Sequence, residues 1–143
     1  MKKIINFTPT GIQTTRGNSL APLTAAEIVE DTQRAYEAGI TSVHIHARDE
    51  NLNNSYKAVH YRPILEGIRK YCQGLTVCVS LSGRIFAEFE KRTEVLELKP
   101  DMGSLTMSSL NFASGASPNS PDMILKLIEK SQNLKRNIFS IFE

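Results

Sequence analysis

A capped helix followed by a short strand is encoded in residues 24–46, TAAEIVEDTQRAYEAGITSVHIH. Thr24 and Glu27 have the spacing of a capping box at the helix start, and Gly39 suits the left-handed position at its end. The buried stripe predicted between these caps consists of Ile28, Thr32, Ala35 and Tyr36. Residues 42–46 then form a short, largely apolar run that predicts a strand. A helix that leads directly into such a strand is typical of a parallel α/β sheet.

The same alternation of short apolar runs and helical stretches continues on both sides. The predicted strands are residues 3–7, 42–46, 75–80, 102–105 and 138–142. Helices are predicted from Thr24 to Gly39, from Pro63 to about Tyr71, from about Glu88 to Leu98, and after the N-cap Ser120. Pro63 suits the first turn of the second helix, which would bury Ile64, Leu65 and Ile68. No internal repeat or linker-like segment interrupts the pattern, so residues 1–143 are expected to form a single domain.

Five parallel strands in 143 residues fit two architectures. A flavodoxin-like sheet would need a last helix to cover its final strand, but the sequence ends at Glu143, directly after the fifth predicted strand. A (β/α)₈ barrel of the TIM type needs about 250 residues. We therefore expect an α/β protein with the parallel strands of such a barrel, truncated to about the first four βα units plus strand five. The single domain would then be the N-terminal half of a barrel.

Charge and hydropathy argue against several classes of partner. The chain has 17 Lys and Arg residues against 15 Asp and Glu residues, so its net charge of +2 gives no reason to expect nucleic acid or an anionic membrane as partner. No window approaches the roughly 20 apolar residues of a membrane span, and the start of the chain does not resemble a signal peptide. A cytoplasmic location is therefore expected. Cys72 and Cys78 lack the spacing of a redox motif or zinc knuckle and are expected to be reduced thiols in the core.

Two histidines at the end of the second predicted strand are the most informative side chains. In SVHIHARD, residues 42–49, strand alternation sends Val43 and Ile45 to one face and both His44 and His46 to the other. Imidazoles two residues apart on a strand lie about 6–7 Å from each other at Cα, so their nitrogens can converge on one zinc ion. They also lie at the carboxyl end of the strand, where barrel active sites are built. The spacing leaves open a second interpretation, in which they are hydrogen-bonded polar side chains in a barrel mouth.

Small polar residues follow the other strands and would meet the histidines at one rim. They are Thr8, Thr10, Gly11, Ser80, Ser82, Gly83, Ser104 and Thr106. Hydroxyl and glycine N–H donors at such a rim can bind a carboxylate or carbonyl oxygen, although each residue is also ordinary in a turn. Arg48 and Arg84, which follow the second and third strands, could pair with an anionic substrate or be solvated. His60 is expected to be a solvated surface histidine.

Five motifs spread along the chain resemble those of the β-keto acid cleavage enzymes. They are TPTG at residues 8–11, AGITSVHIHARD at 38–49, VSLSGR at 79–84, KPDM at 99–102 and SSLNF at 108–112. The resemblance implies an oligomeric (β/α)₈ barrel of nearly twice this length, which agrees with the half-barrel expectation. It also implies the reaction, a retro-Claisen-type exchange in which a β-keto acid and acetyl-CoA become acetoacetate and a new acyl-CoA.

The resemblance further implies a set of site residues. A zinc ion would be held by His44, by His46 and by a glutamate from late in the barrel that this chain lacks. The implied substrate-binding residues are Ser80, Gly83, Ser104 and Gln13, the last standing where some family members carry a glutamate. A zinc ion can stabilise negative charge on the keto oxygen as a Lewis acid.

Two departures from the family pattern concern activity. The catalytic base and its assisting arginine lie, in the family, on the missing half, so no catalytic residue is assigned. Residues 137–143, NIFSIFE, replace a family pattern close to Pro-Glu-x-Glu-x-Phe-Asp, which leaves Ser140 in place of a carboxylate that supports the base. We therefore expect zinc-dependent β-keto acid cleavage at family level, impaired or absent in this chain alone.

Two alternatives remain open at this point. One is a non-catalytic half-barrel module that pairs through its open sheet edges, either with itself as a homo-oligomer or with a separate C-terminal half. The other is a flavodoxin-like binding domain without a metal.

Overall fold

A parallel sheet of five strands is the centre of the computed structural model, which describes residues 3–11, 20–112 and 115–141. In chain order the strands are β1 (Asn6–Phe7), β2 (Ser42–Ile45), β3 (Ala47–Arg48), β4 (Asn54–Ser55), β5 (Thr76–Ser80), β6 (Met102–Thr106), β7 (Leu110–Phe112), β8 (Gly115–Ser117) and β9 (Asn137–Ile141). The helices are α1 (Ala25–Glu37), α2 (Ala58–Tyr71), α3 (Phe89–Thr93), which continues as a 3₁₀ helix over Glu94–Leu98, and α4 (Pro121–Asn133). Each of the five predicted strands is present, and the largest difference is the later start of the first one.

The main sheet has the strand order β1-β2-β5-β6-β9, and every pair in it is parallel. Each main strand therefore lies beside the next main strand of the chain. A flavodoxin-like sheet has the order 2-1-3-4-5, with its first strand in the interior. The observed order excludes that alternative and is the order found in a (β/α) barrel, where the sheet winds in one direction.

Helix α1 begins and ends where its capping signals predict. The Glu27 N–H donates to Thr24 Oγ1 at 3.2 Å, and the Thr24 N–H donates to Glu27 Oε2 at 2.9 Å. Gly39 has a φ of +97°, the left-handed conformation that glycine adopts without strain. Ile28 and Thr32 of the predicted stripe are buried, and its two C-terminal members are half-buried.

The second and third helices differ from the prediction. Helix α2 begins at Ala58, so Pro63 lies in its interior rather than in its first turn. The helix starts earlier because its buried stripe extends N-terminally to Tyr61, which is 3% exposed, and this packing outweighs the loss of one backbone hydrogen bond. The predicted single helix from Glu88 is instead the short α3 followed by the 3₁₀ helix.

The two faces of the main sheet differ in chemistry. Val43 and Ile45 of β2 are fully buried in an apolar core that includes residues of α1 and α2. The register of β2 and β5 pairs them with Val77 and Val79, which continue the same apolar face. His44 pairs with Cys78, and both residues lie on the opposite face of the sheet. The helices therefore cover the apolar face and leave the histidines on the other.

Two short antiparallel hairpins, which the sequence did not predict, lie at the carboxyl ends of the main-sheet strands. β3 pairs with β4, and β7 pairs with β8. The first follows the carboxyl end of β2 and the second follows the carboxyl end of β6. Both hairpins therefore add walls at the rim where the predicted site residues lie.

Two composition-based predictions can be compared with the structure. Cys72 and Cys78 are buried, free thiols, as predicted. Burial raises the pKa of Cys78 to about 12, so its thiol is protonated at neutral pH. Across the described ranges, every helix is too short or too polar to cross a bilayer.

Candidate metal and substrate site

The predicted histidines and serines share one face of the sheet. The parallel register aligns His44 with Cys78 and Ser80 with Ser104, so His46, two residues after His44, lies on the face of both serines. An open cleft runs over this face, and we call it the histidine cleft. Its lining residues are His44, His46, Ser80, Ser82, Arg84, Ser104, Thr106, Leu110, Phe112 and Ser117. The cleft lies at the carboxyl ends of β2, β5 and β6.

The two imidazole rings converge inside this cleft. His44 Nε2 and His46 Nε2 are 3.2 Å apart, and the ring centroids are separated by 5.0 Å with the planes at 73°. His44 is only 8% exposed, and His46 is half-buried. The rings therefore lie on the same side of the sheet and away from bulk water, as strand alternation predicts.

Burial sets the protonation state of both rings. It lowers the pKa of His44 to about 4. The pKa of His46 is lowered to about 3. Burial is the largest cause, and the proximity of His44 and of the Arg48 guanidinium adds to it. Both imidazoles are consequently neutral at pH 7 and carry the lone pairs that a metal ion requires.

The spacing of the two nitrogens fits a shared metal ion. Two nitrogens bound to one tetrahedral zinc ion at 2.0–2.1 Å are roughly 3.3–3.4 Å apart, which is close to the observed 3.2 Å. The same distance also fits a hydrogen bond in which one Nε2 donates to the other. Within the described residues, no third His, Cys, Asp or Glu joins the pair to form a group that could hold a metal ion.

Ser80 and Ser104 place hydroxyl groups beside the histidine pair. Ser104 is 4% exposed, and its Oγ accepts a hydrogen bond from the Leu81 N–H at 3.4 Å. Ser80 Oγ accepts one from the Ser82 N–H at 3.3 Å. These hydroxyls keep their own O–H donors for a ligand, so they can bind an oxygen anion without adding charge to the cleft.

Gly83 and Gln13, the other two predicted substrate-binding residues, are in different situations. Gly83 does not line the histidine cleft among the described residues. A Cβ at this position would lie 2.9 Å from Arg92 Nη1 and 3.2 Å from its Cζ, so Gly83 packs against the guanidinium instead. Gln13 lies outside the described residues.

Arg92 and Asn119 form a buried brace that sequence reasoning missed. Arg92 Nε donates to Leu81 O at 2.7 Å, and its Nη2 donates to Asn119 Oδ1 at 2.8 Å. Asn119 Nδ2 in turn donates to Ser108 O at 3.1 Å. The brace therefore joins the segments that follow β5 and β6, which both line the cleft. Helical periodicity could have indicated that Arg92 is buried, because it lies about one turn before the buried Val95, but it does not identify the partners of the guanidinium.

The two arginines singled out from the sequence behave differently. Arg48 is 7% exposed and donates to Asn54 Oδ1 and to Gly11 O, so it ties the ends of β1 and β2 together instead of facing solvent. Arg84 is half-buried in the histidine cleft, with its Cζ 3.8 Å from the centroid of the Phe112 ring. Only Arg84 lines the cleft.

His60 is not the solvated surface histidine that was expected. Its Nδ1 is 2.6 Å from Ser55 Oγ, and its Nε2 is 3.2 Å from Glu50 Oε1. Both partners belong to the β3–β4 hairpin, since Ser55 lies in β4 and Glu50 in the loop that joins the two strands. This position is separate from the histidine cleft.

Comparison with known proteins gives a consistent family assignment. The profile of the beta-keto acid cleavage enzyme family matches residues 2–141. The chain is 42% identical over 109 residues to 3-oxoadipate:acetyl-CoA acetyltransferase of Cupriavidus necator, a match that covers 76% of this chain and 38% of that protein. It is 29% identical over 112 residues to 3-keto-5-aminohexanoate cleavage enzyme of Acetoanaerobium sticklandii, covering 78% of this chain and 41% of that protein. The chain thus spans about two fifths of the length of these relatives.

Solved structures share the fold. The ternary complex of ObcA with a C4-CoA adduct and oxalate superposes with a TM-score of 0.76 at 20% identity and covers 85% of this chain and 31% of that chain. The apo structure of ObcA gives a TM-score of 0.72 at 19% identity, covering 85% of this chain and 30% of that chain. Because the family profile covers nearly the whole sequence, including His44, His46, Ser80 and Ser104, the chain belongs to the β-keto acid cleavage enzyme family.

Proposed function

We propose that this chain is the first half of a (β/α)₈ barrel that cleaves β-keto acids. In the reaction, the acetyl group of acetyl-CoA moves to the carboxymethyl part of the β-keto acid, giving acetoacetate, and the remaining acyl part moves to the CoA sulfur. Family membership supports the reaction class, and the name of the Cupriavidus necator relative supports a β-keto acid and acetyl-CoA as substrates. The observation that carries the proposal is the convergence of two imidazole nitrogens beside two serine hydroxyls in one cleft.

The histidine pair would hold a zinc ion through the two Nε2 atoms. Their 3.2 Å separation and the neutral state of both rings fit this role. When bound, zinc would supply Lewis-acid stabilisation of negative charge on the keto oxygen. The third protein ligand would come from a part of the barrel beyond the described residues, as would the catalytic base.

The serines would orient the substrate. Ser80 and Ser104 lie beside each other in the β5–β6 register, so their hydroxyls can donate to neighbouring oxygens of one ligand. Gln13 stays a predicted substrate contact. Because two metal ligands and no base are assigned here, we expect the chain alone to be a poor catalyst.

A zinc titration tests the proposed metal site. We expect one zinc ion per chain with an affinity weaker than micromolar, because two imidazoles without a third ligand make an incomplete site. His44→Ala and His46→Ala should each abolish this binding, whereas the control His60→Ala should leave it unchanged. Calorimetry or competition with a chromophoric chelator measures the affinity.

The zinc titration can contradict the proposal in two ways. Binding that survives in both cleft variants would place the metal elsewhere. Micromolar or tighter binding at a stoichiometry of one would show that the chain itself supplies a third ligand.

A half-barrel module without catalysis is the second candidate. It is favoured by the open edges of the main sheet, since β1 and β9 each pair with one neighbour in the described sheet. Unpaired edges of this kind favour association with further strands, supplied by a second copy or by a separate C-terminal half.

A further inference from the structure

A second pocket adjoins the histidine cleft, and we call it the inner pocket. His46, Ser80 and Ser82 line both the inner pocket and the cleft, so the two cavities share one wall. Arg92, the arginine of the buried brace, lines the inner pocket but not the cleft. Arg92 therefore lies behind the wall that the two serines form.

The described residues give Arg92 no anionic partner, although it is a buried cation. It is 3% exposed, and both acceptors of its hydrogen bonds, Leu81 O and Asn119 Oδ1, are uncharged. Its Nη1 is buried and has no hydrogen-bond partner in the described part of the chain. Burial lowers the pKa of Arg92 to about 10, so the side chain stays protonated at neutral pH. A neighbouring carboxylate would raise this pKa, and no described carboxylate does so.

Lys91 also lines the inner pocket, but its charge is balanced. Lys91 Nζ lies 2.6 Å from Glu88 Oε1, which forms an ion pair with it. A buried charge without a counter-charge costs several kcal/mol in general, so proteins usually compensate for it. Because the described ranges hold no such anion for Arg92, a bound ligand can supply the compensating charge.

The shared wall offers neutral hydrogen-bond donors to a carboxylate. The hydroxyl groups of Ser80 and Ser82 belong to this wall and carry no charge. The guanidinium behind the wall supplies the positive charge that these donors lack. The interior of a protein screens such a charge less than water does, so it can stabilise a carboxylate that it does not contact.

We propose that Arg92 is a positioning residue that balances the charge of the substrate carboxylate from behind the wall formed by Ser80 and Ser82. This inference rests on the proposed β-keto acid cleavage and deepens it by naming the buried charge that holds the acid end of the substrate. Arg92 acts through its charge and through the brace, which fixes the backbone at Leu81, and it does not touch the substrate.

Two ligands of the same size that differ in charge test the inference. Acetoacetate carries a carboxylate, and acetoacetamide has a neutral amide in its place. Each is titrated by NMR into the intact chain in excess zinc. We expect Arg92→Gln to weaken the binding of acetoacetate about tenfold and that of acetoacetamide less than about twofold, because only the first interaction involves a charge. Arg92→Lys should keep most of the affinity for acetoacetate, since the buried charge remains.

Two further variants separate the charge of Arg92 from its structural role. Asn119→Ala removes the acceptor of Nη2 but keeps the charge, so the ratio of the two affinities should stay unchanged even where both fall. Arg62→Gln is the matched control, because Arg62 is exposed on α2 and lines neither the cleft nor the inner pocket. It should change neither affinity. Circular dichroism checks that each variant is folded.

The outcomes separate this inference from the proposed function. A ratio of affinities that survives Arg92→Gln would overturn the inference and leave β-keto acid binding intact. An equal loss for both ligands would also overturn it, because a purely structural role predicts that result. If Arg92→Gln does not fold, Arg92→Lys decides, and a folded lysine variant that loses the ratio overturns the inference. If neither ligand shifts the resonances of His46 or Ser80 in the unmodified chain, the proposed function fails and the inference fails with it.

Discussion

Gly83 and Arg92 occupy adjacent volumes, and the arginine leaves no room for a side chain on the glycine. Gly83 is not among the residues with positive φ, so its backbone conformation does not require glycine. The requirement comes from Arg92 Nη1, which would lie 2.9 Å from a Cβ and which is buried without a hydrogen-bond partner among the described residues. Because Leu81 O and Asn119 Oδ1 hold the guanidinium on its other side, it cannot simply move away.

Gly83→Ala should therefore destabilise the protein. We expect a loss of about 1–3 kcal/mol in the free energy of unfolding, the usual cost of overpacking a rigid site. Gly11→Ala is the control, because a Cβ on Gly11 would have no heavy atom of the described residues within 4 Å, and its effect should stay within about 0.5 kcal/mol. Urea denaturation measures the free energy of unfolding of both variants. Equal stability of the two variants would show that Arg92 adjusts freely.

Sequence reasoning reaches the histidine pair but not this brace. Strand alternation is a local rule, and it was enough to place His44 and His46 on one face. The role of Gly83 depends on a helix residue nine positions away and on Asn119, which joins from another loop. Contacts of that kind are set by tertiary packing, and no local periodicity encodes them.

Local sequence signals predict the limits of some helices and strands better than those of others. Helix α1 is bounded by a capping box and a left-handed glycine, and its limits were predicted closely. Helix α2 has no side-chain hydrogen bond at its N-cap, Lys57, and its predicted start was wrong. The β3–β4 and β7–β8 hairpins escaped prediction because strands of two or three residues are too short to show alternation.

Removing a cap should accordingly have different effects on the two helices. Thr24→Ala deletes the acceptor of the Glu27 N–H and should lower the free energy of unfolding by about 1 kcal/mol. Lys57 is the N-cap residue of α2, and its side chain makes no capping hydrogen bond. Lys57→Ala should therefore change the free energy of unfolding by less than about 0.5 kcal/mol. Chemical denaturation of both variants checks this difference, and a larger loss for Lys57→Ala would contradict it.

At the scale of the whole molecule, the strand order decided between the two architectures that the sequence left open. Helix and strand periodicity gave the number of main strands but not their neighbours, because both folds alternate helices and strands. In the described sheet β1 pairs with β2 and with no other strand, whereas the first strand of a flavodoxin-like sheet lies between two neighbours. The observed order also leaves β1 at an edge, close to Ile4, which is 84% exposed.

Association through this edge should depend on concentration. If the sheet pairs with a second copy, light scattering after size exclusion should give a mass above that of one chain, and Ile4→Lys should restore the monomer because an edge lysine resists strand pairing. Leu125→Lys is the control, since it replaces a side chain of α4 that is 57% exposed and lies far from β1 in sequence. A cooperatively melting monomer at all concentrations would contradict edge pairing.

The strand order bears equally on how the polypeptide can assemble while it is being made. Every main strand pairs with the one synthesised just before it, so each new βα unit finds its docking surface already in place. Each new pairing spans a single βα unit of the chain, so the entropic cost of each addition stays small. A nascent chain with this topology can grow from its amino terminus without holding a long segment in reserve for a distant partner.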